Sequence, residues 1–205
     1  MSDTSSQPSA RNYLVAAAIL LILPAASFVI GRLNTPRPMS LVKTRAAVDR
    51  DGLKGTVLLD ALPSTVQQPM TANLEDKIEV LGLSVDKPSA LQGERVEFTY
   101  YFRALSDIDE DWQIFGHIDG INNVYRIHAD HYPVNGNYTT DLWLKGEIVA
   151  DTYVKYIPLD APSGRYDVWI GFYIGDSRLK LKNPDKVTTD GSNRVKVGQF
   201  TVGSP

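Results

Sequence analysis

The chain has no cysteine among its 205 residues. Disulfides, thiolate zinc sites and cysteine nucleophiles are therefore all excluded. Histidine is nearly as scarce, with His117, His128 and His131 the three in the chain. A zinc site, which needs three or four ligands, would have to gather all of them or borrow a carboxylate such as Asp151. There is no excess of basic charge either. The formal net charge is -3, whereas a nucleic-acid binder shows a basic stripe. No nucleophile-elbow motif, paired-carboxylate motif, tandem repeat or low-complexity tract is present. No cofactor is expected, no resident metal, and no nucleic-acid partner. The lack of cysteine fits a bacterial envelope protein as well as a cytosolic one.

What is present is a globular composition, 43% hydrophobic and 22% charged, and one long apolar run. Residues 13–30 read YLVAAAILLILPAASFVI, without charge, between Arg11 and Arg32. As a helix this run spans about 27 Å, close to the ~30 Å hydrocarbon core of a bilayer. Pro24 is tolerated in such a helix. The expectation is an uncleaved single-pass anchor after an N-terminal tail of residues 1–12. A cleaved signal peptide is the rival reading, with Ala25 and Ser27 as small residues near a cleavage site. The run has no polar face, which speaks against a buried core helix. Arg32, Arg37, Lys43 and Arg45 follow the run, and by the positive-inside rule they favour a cytoplasmic domain.

Residues 31–73 read as a linker, with Pro36, Pro38, Pro63 and Pro69 and the polar stretch STVQQ. A short strand at 56–59 and one or two helical turns at 41–48 are the elements it suggests. From about residue 74 the pattern changes to period two. Tyr166, Val168, Ile170, Phe172 and Ile174 alternate with Arg165, Asp167, Trp169, Gly171 and Tyr173. Val96, Phe98, Tyr100 and Phe102 alternate in the same way with Glu97, Thr99, Tyr101 and Arg103. Further strands are expected at 77–85, 112–119, 124–129, 147–157, 178–182 and 194–202, divided by Pro, Gly and Asn turn signals. About eight short strands predict an all-β domain over 74–205, an antiparallel β-sandwich of immunoglobulin-like or jelly-roll-like type.

The stretch LEDKIEVLGLSVDKPSALQGERVEFTYYFRAL (74–105) and the later WQIFGHIDG, ADHYP, DLWLKGE and APSGRYDVWIGFY carry a resemblance. Residues 74–202 resemble the β-sandwich domains at the C-terminus of bacterial polytopic membrane glycosyltransferases of the mannosyltransferase and aminoarabinose-transferase types. In that family the transferase chemistry resides in the membrane part, and here there is one apolar run and not a dozen. The resemblance thus implies a non-enzymatic, extracytoplasmic (periplasmic) sandwich, and it outweighs the handful of charges that favour the opposite topology. The implied partners are the lipid bilayer, an envelope glycan and a membrane protein; the alternative role is that of a structural subunit in a larger membrane complex.

HADHYPVNGNY (128–138) is the densest polar stretch. On a strand, His128 and Asp130 share one face while His131 takes the other, so no compact ligand set forms locally. A catalytic reading would centre on His131 with Asp130 or Asp151. The favoured reading is a structural corner. Asp130 and His131 bond exposed backbone groups, Pro133 stops sheet pairing, and Asn135-Gly136 turns the chain through positive φ. SDIDED (106–111) spaces Asp107, Asp109 and Asp111 like a calcium loop but lacks the EF-hand glycine and glutamate; a solvated loop is expected. Trp169 and Tyr173, flanking Gly171, are the candidate ligand-binding aromatics, with Tyr101 and Tyr153 as further members of a flat platform for sugar rings or a partner. The competing expectation is that the linker simply covers this face.

Overall fold

The computed structural model describes residues 44–203 other than Asn123. The expected membrane run at 13–30 lies outside the described residues. Among those described, no helix is long and apolar enough to cross a membrane.

Eleven strands follow in chain order: β1 (Leu58–Leu59), β2 (Ala72–Leu74), β3 (Ile78–Val85), β4 (Ser89–Ala90), β5 (Arg95–Ala104), β6 (Gln113–Gly120), β7 (Arg126–His128), β8 (Ile148–Tyr156), β9 (Gly164–Ile174), β10 (Ser177–Arg178) and β11 (Val195–Val202). They form two sheets, β1-β8-β5-β3-β2 and β4-β11-β9-β6-β7, with β10 folded back on β9. Pairing is antiparallel except between β4 and β11. The domain is an all-β sandwich, as period two implied.

The inward faces are the ones that alternation predicts. Val96, Phe98, Tyr100 and Phe102 of β5 and Tyr166, Val168, Ile170 and Phe172 of β9 are completely buried. Phe102 meets Phe172 edge-on at 5.1 Å across the two sheets, and Trp143 stacks on Phe102 at 5.9 Å. Each such side chain contributes on the order of 1.5–3 kcal/mol before entropy is counted. Ile174 leaves the pattern. It is 39% exposed, because β9 ends there and turns into β10.

The proline-bearing segment before β3 is part of this packing. Gln67 N–H donates to Leu83 O (2.8 Å) and Met70 N–H to Leu81 O (3.0 Å), which satisfies backbone groups that β3 would otherwise leave open. Val66 packs with Leu81, Tyr101 and Ala150, flanked by Leu59, Leu62 and Ile148. A single helical turn, α1 (Arg50–Leu53), opens with a clamp: Arg50 pairs with Glu147 (2.8 Å) and donates to Leu142 O (2.8 Å) and Arg45 O (2.7 Å). Residues 44–73, which the composition reads as linker, are therefore part of the sandwich: Leu58–Leu59 and Ala72–Leu74 pair as β1 and β2, and residues 59–66 pack on the outer face of the β5–β8 sheet. Prolines spoil the periodicity by which strands are recognised, but they leave the flanking N–H groups free to pair.

Gly82 makes this docking possible. It sits at a β-bulge in β3 with φ 139°, and a Cβ there would lie 2.4 Å from Val66 Cγ1 and 3.0 Å from Gln68 O. Gly82→Ala should cost about 1–3 kcal/mol through overpacking. It should also make residues 44–73 the first site of limited proteolysis. Cleavage kinetics unchanged from wild type would contradict this account of the docking.

Candidate functional site

The outer face of the second sheet gathers the chemistry. Strand alternation sends Phe115, His117 and Asp119 of β6 outward with Trp169, Gly171 and Tyr173 of β9, in the register His117↔Trp169, Phe115↔Gly171 and Gln113↔Tyr173. Trp169 and Tyr173 do not flank an open slot. A Cβ on Gly171 would lie 2.3 Å from Phe115 Cζ and 2.7 Å from Asn193 O, so the missing side chain is replaced by the Phe115 ring. Two guanidiniums lie on these aromatics. Arg178 sits 4.5 Å over Phe115 and Arg194 4.7 Å over Trp169, attracted by the negative ring faces. Arg194 is held there by Asp190 (2.7 Å) and Asp119 (2.9 Å) and donates to His117 Nδ1 (3.1 Å).

The four candidate aromatics are not brought together. Trp169 and Tyr173 share this face, but Tyr101 lies on the other sheet, 6% exposed beneath residues 59–66. Among the described residues of the linker, those at 59–66 cover Tyr101. Tyr153, on the inner side of β8, stacks on His131 at 4.1 Å.

Beside Tyr173 lies a cleft of about 280 Å³, lined by Phe115, His117, Asp130, Tyr173, Gly175, Asp176 and Arg178. His117 and His128 face each other across β6 and β7, and Asp130 follows on the same face. Ligand atoms of these three lie within 4.8 Å of one another. Sequence reading placed His128 and Asp130 together but had no means of adding His117, because that neighbour comes from hairpin register. Burial, then Arg126, pushes the His117 imidazole down to about 4; Arg194 acts in the same direction, while Asp130 and Asp119 oppose it. A larger groove of about 730 Å³ runs between residues 62–71 and 185–188; the cationic residue central to it, Arg103, is paired with Glu79 (2.7 Å).

The polar corner divides between the two faces. Asp130, outside, accepts from Gly116 N–H (3.0 Å), standing in for a ladder carbonyl. His131, inside, is nearly buried. Its Nε2 is 2.7 Å from Asp151 Oδ2 and its Nδ1 2.7 Å from Ala129 O. Asp151 is fully buried, and its second oxygen accepts from Val134 N–H at 2.7 Å. Tyr153 and Tyr100 sandwich the imidazole. Burial, reinforced by the Asp151 carboxylate, pushes the Tyr100 hydroxyl far above its usual range. Val134 and Asn135 both have φ 52°, and Gly136 has φ 79°; a β-branched residue rarely takes that conformation, and here the Asp151 bond holds it. The trio His131, Asp130 and Asp151 is therefore split. His131 and Asp151 are sealed inside, and Asp130 lies on the opposite face.

The acidic loop is engaged in packing contacts. Asp109 pairs with Arg45 (3.0 Å), and Asp107 accepts from Lys145 N–H (2.8 Å). Burial and the nearby Asp141 raise the Asp111 carboxyl.

No protein-family model matches the chain. No curated protein matches it. Among solved structures, the C-terminal domain of Wzt aligns at TM-score 0.47 and 13% identity, over 72% of this chain and 89% of that one. A Niemann-Pick type C2 protein from Japanese carpenter ant aligns at 0.40 and 6%, over 67% and 97%. The sporulation control protein Spo0M from Bacillus subtilis aligns at 0.33 and 18%, over 66% and 50%. Likeness at this level speaks neither to ligand nor to activity.

Two expectations follow from the geometry. Asp151→Ala leaves the buried His131 Nε2 and the Val134 N–H without their partner and should cost about 3–5 kcal/mol in urea unfolding of the full chain; a loss below ~1 kcal/mol would show the pair to be dispensable. His117 is held neutral by the fold, while the unfolded chain takes up its proton near the ordinary value of ~6.5. Stability from this site is thus complete above that pH and is lost as pH falls toward 4. His117→Gln should flatten the decline in melting temperature over that window, and an identical decline in both chains would refute the assignment.

Proposed function

We propose that the protein is a non-catalytic, membrane-anchored binding module that presents its sandwich outside the cytoplasm and takes an envelope saccharide in the cleft beside Tyr173. The observation that carries the reading is the lining of that cleft. The Tyr173 ring offers an apolar surface for a sugar face. Asp130 and Asp176 offer acceptors for hydroxyls, and Arg178 offers a planar donor. A few polar groups converging on aromatic walls are what small-ligand sites require. The apolar run at 13–30 supports the anchor. The resemblance of residues 74–202 to the sandwich domains of membrane glycosyltransferases supports the compartment and the ligand class.

A second reading, as subunit of a membrane assembly, is favoured by a different observation. Leu91, Ile121, Val124, Tyr156 and Leu159 are exposed, and their loops meet at one end of the sandwich, where Gly93 N–H bonds Ile157 O and Tyr125 bonds Asp160. Apolar tips gathered at one end suit a protein partner. Stoichiometric co-purification after gentle detergent extraction would favour this reading, and a lone monomer would count against it.

Tyr173 is the residue to test, because Arg194 already covers Trp169. On an array of bacterial envelope polysaccharides, full-length Tyr173→Ala should lose binding roughly tenfold or more, the effect of removing a central aromatic contact. Its melting temperature should stay near wild type. Equal binding by both chains would sink the saccharide reading.

A further inference from the structure

We propose that His117, His128 and Asp130 form a binding site for a divalent transition-metal ion of the zinc class. The site shares His117 and Asp130 with the lining of the cleft beside Tyr173, but its geometry does not depend on the saccharide reading. Its geometry begins with the ladder between β6 and residues 126–131, which comprise β7 and the corner after it. Ile114 and His131 exchange both backbone bonds, and Ala129 N–H donates to Gly116 O. Backbone-bonded rungs alternate with unbonded ones, so His117 and His128 occupy an unbonded rung, where facing side chains come closest. Asp130 lies two residues beyond His128, on the same face. The bond from Gly116 N–H fixes one carboxylate oxygen of Asp130. Gly116 permits the close approach of Ala129, since a Cβ there would sit 2.8 Å from Ala129 O.

The three ligand atoms fall within 4.8 Å of one another. Tetrahedral zinc bonds of 2.0–2.2 Å bring neighbouring ligand atoms to about 3.3 Å. His128 and Asp130 are exposed, so their side chains are free to close that gap. Two imidazoles and one carboxylate suit a borderline ion better than calcium or magnesium, which take all-oxygen sets.

One contact opposes occupancy. A guanidinium only donates, so the bond from Arg194 to His117 Nδ1 must open for the ring to ligate. Arg194 retains Asp119, Asp190 and the Trp169 ring when it does. The carboxylates of Asp119 and Asp190 offset the charges of both Arg194 and the neighbouring Arg126.

Scarcity makes the test clean. There is no cysteine, and the third histidine, His131, is committed to Asp151 and Ala129 in the interior. The full chain, without a histidine tag and stripped by chelator, is titrated with ZnCl₂ by calorimetry and with CoCl₂ by visible absorption. One equivalent should bind. His128→Ala and Asp130→Asn should each weaken binding roughly tenfold or more, with the metal-free melt unchanged; Asp130→Asn keeps an acceptor for Gly116 N–H. Added CaCl₂ should not compete. Wild type and His128→Ala titrating alike, or calcium displacing zinc, would overturn the proposal. Loss of polysaccharide binding in Tyr173→Ala with zinc binding intact separates this site from the saccharide reading.

Discussion

The structure turns on one buried carboxylate. Asp151 lies in the core with no exposure, and a charge in that position is tolerable only when its oxygens are fully used. One oxygen meets the His131 ring; the other accepts from Val134 N–H. Those two bonds join β8 to the corner that follows β7. They hold a left-handed valine, and they set the imidazole between two tyrosine rings. The corner in turn fixes where the chain leaves the β6 ladder, and with it the position of Asp130 on the outer face. A polar contact in the interior thereby determines what the surface presents.

The same residues that look like catalytic machinery in one dimension are distributed by alternation to opposite sides of a sheet. His131 and Asp151 are in hydrogen-bonding geometry, yet both nitrogens of the ring and both oxygens of the carboxylate are satisfied by the protein itself. Asp130, one residue away, is in solvent and belongs with His117 and His128. Local spacing assigned the faces correctly, because period two is a property of the strand alone.

What the sequence could not carry was everything that depends on which strand lies next to which. Seven of the eight periodic segments became strands, the expected 178–182 keeping only Arg178 within β10, and Val96 through Phe102 and Tyr166 through Phe172 point inward as their spacing requires. That Tyr101 and Trp169 lie on different sheets was not legible, because each sits on the outward face of its own strand and nothing local says that the strands belong to opposite layers. His117 was missed as the partner of His128 for the same reason. The docking of residues 44–73 was hidden by prolines and polar residues. The bonds that hold this segment include those to Leu81, Leu83, Ala150 and Glu147, and edge contacts of that kind leave no periodic trace in the segment that makes them.

Gly171 and Phe115 show how such a sheet constrains its own variation. The ring occupies volume that any other residue at position 171 would claim, so a bulky aromatic at 115 is permitted only while its cross-strand neighbour is bare. Position 171 cannot drift alone. A lineage that gained a side chain at 171 would have to shrink 115 as well, which would empty the seat under Arg178 and reshape the wall of the cleft in a single coupled step.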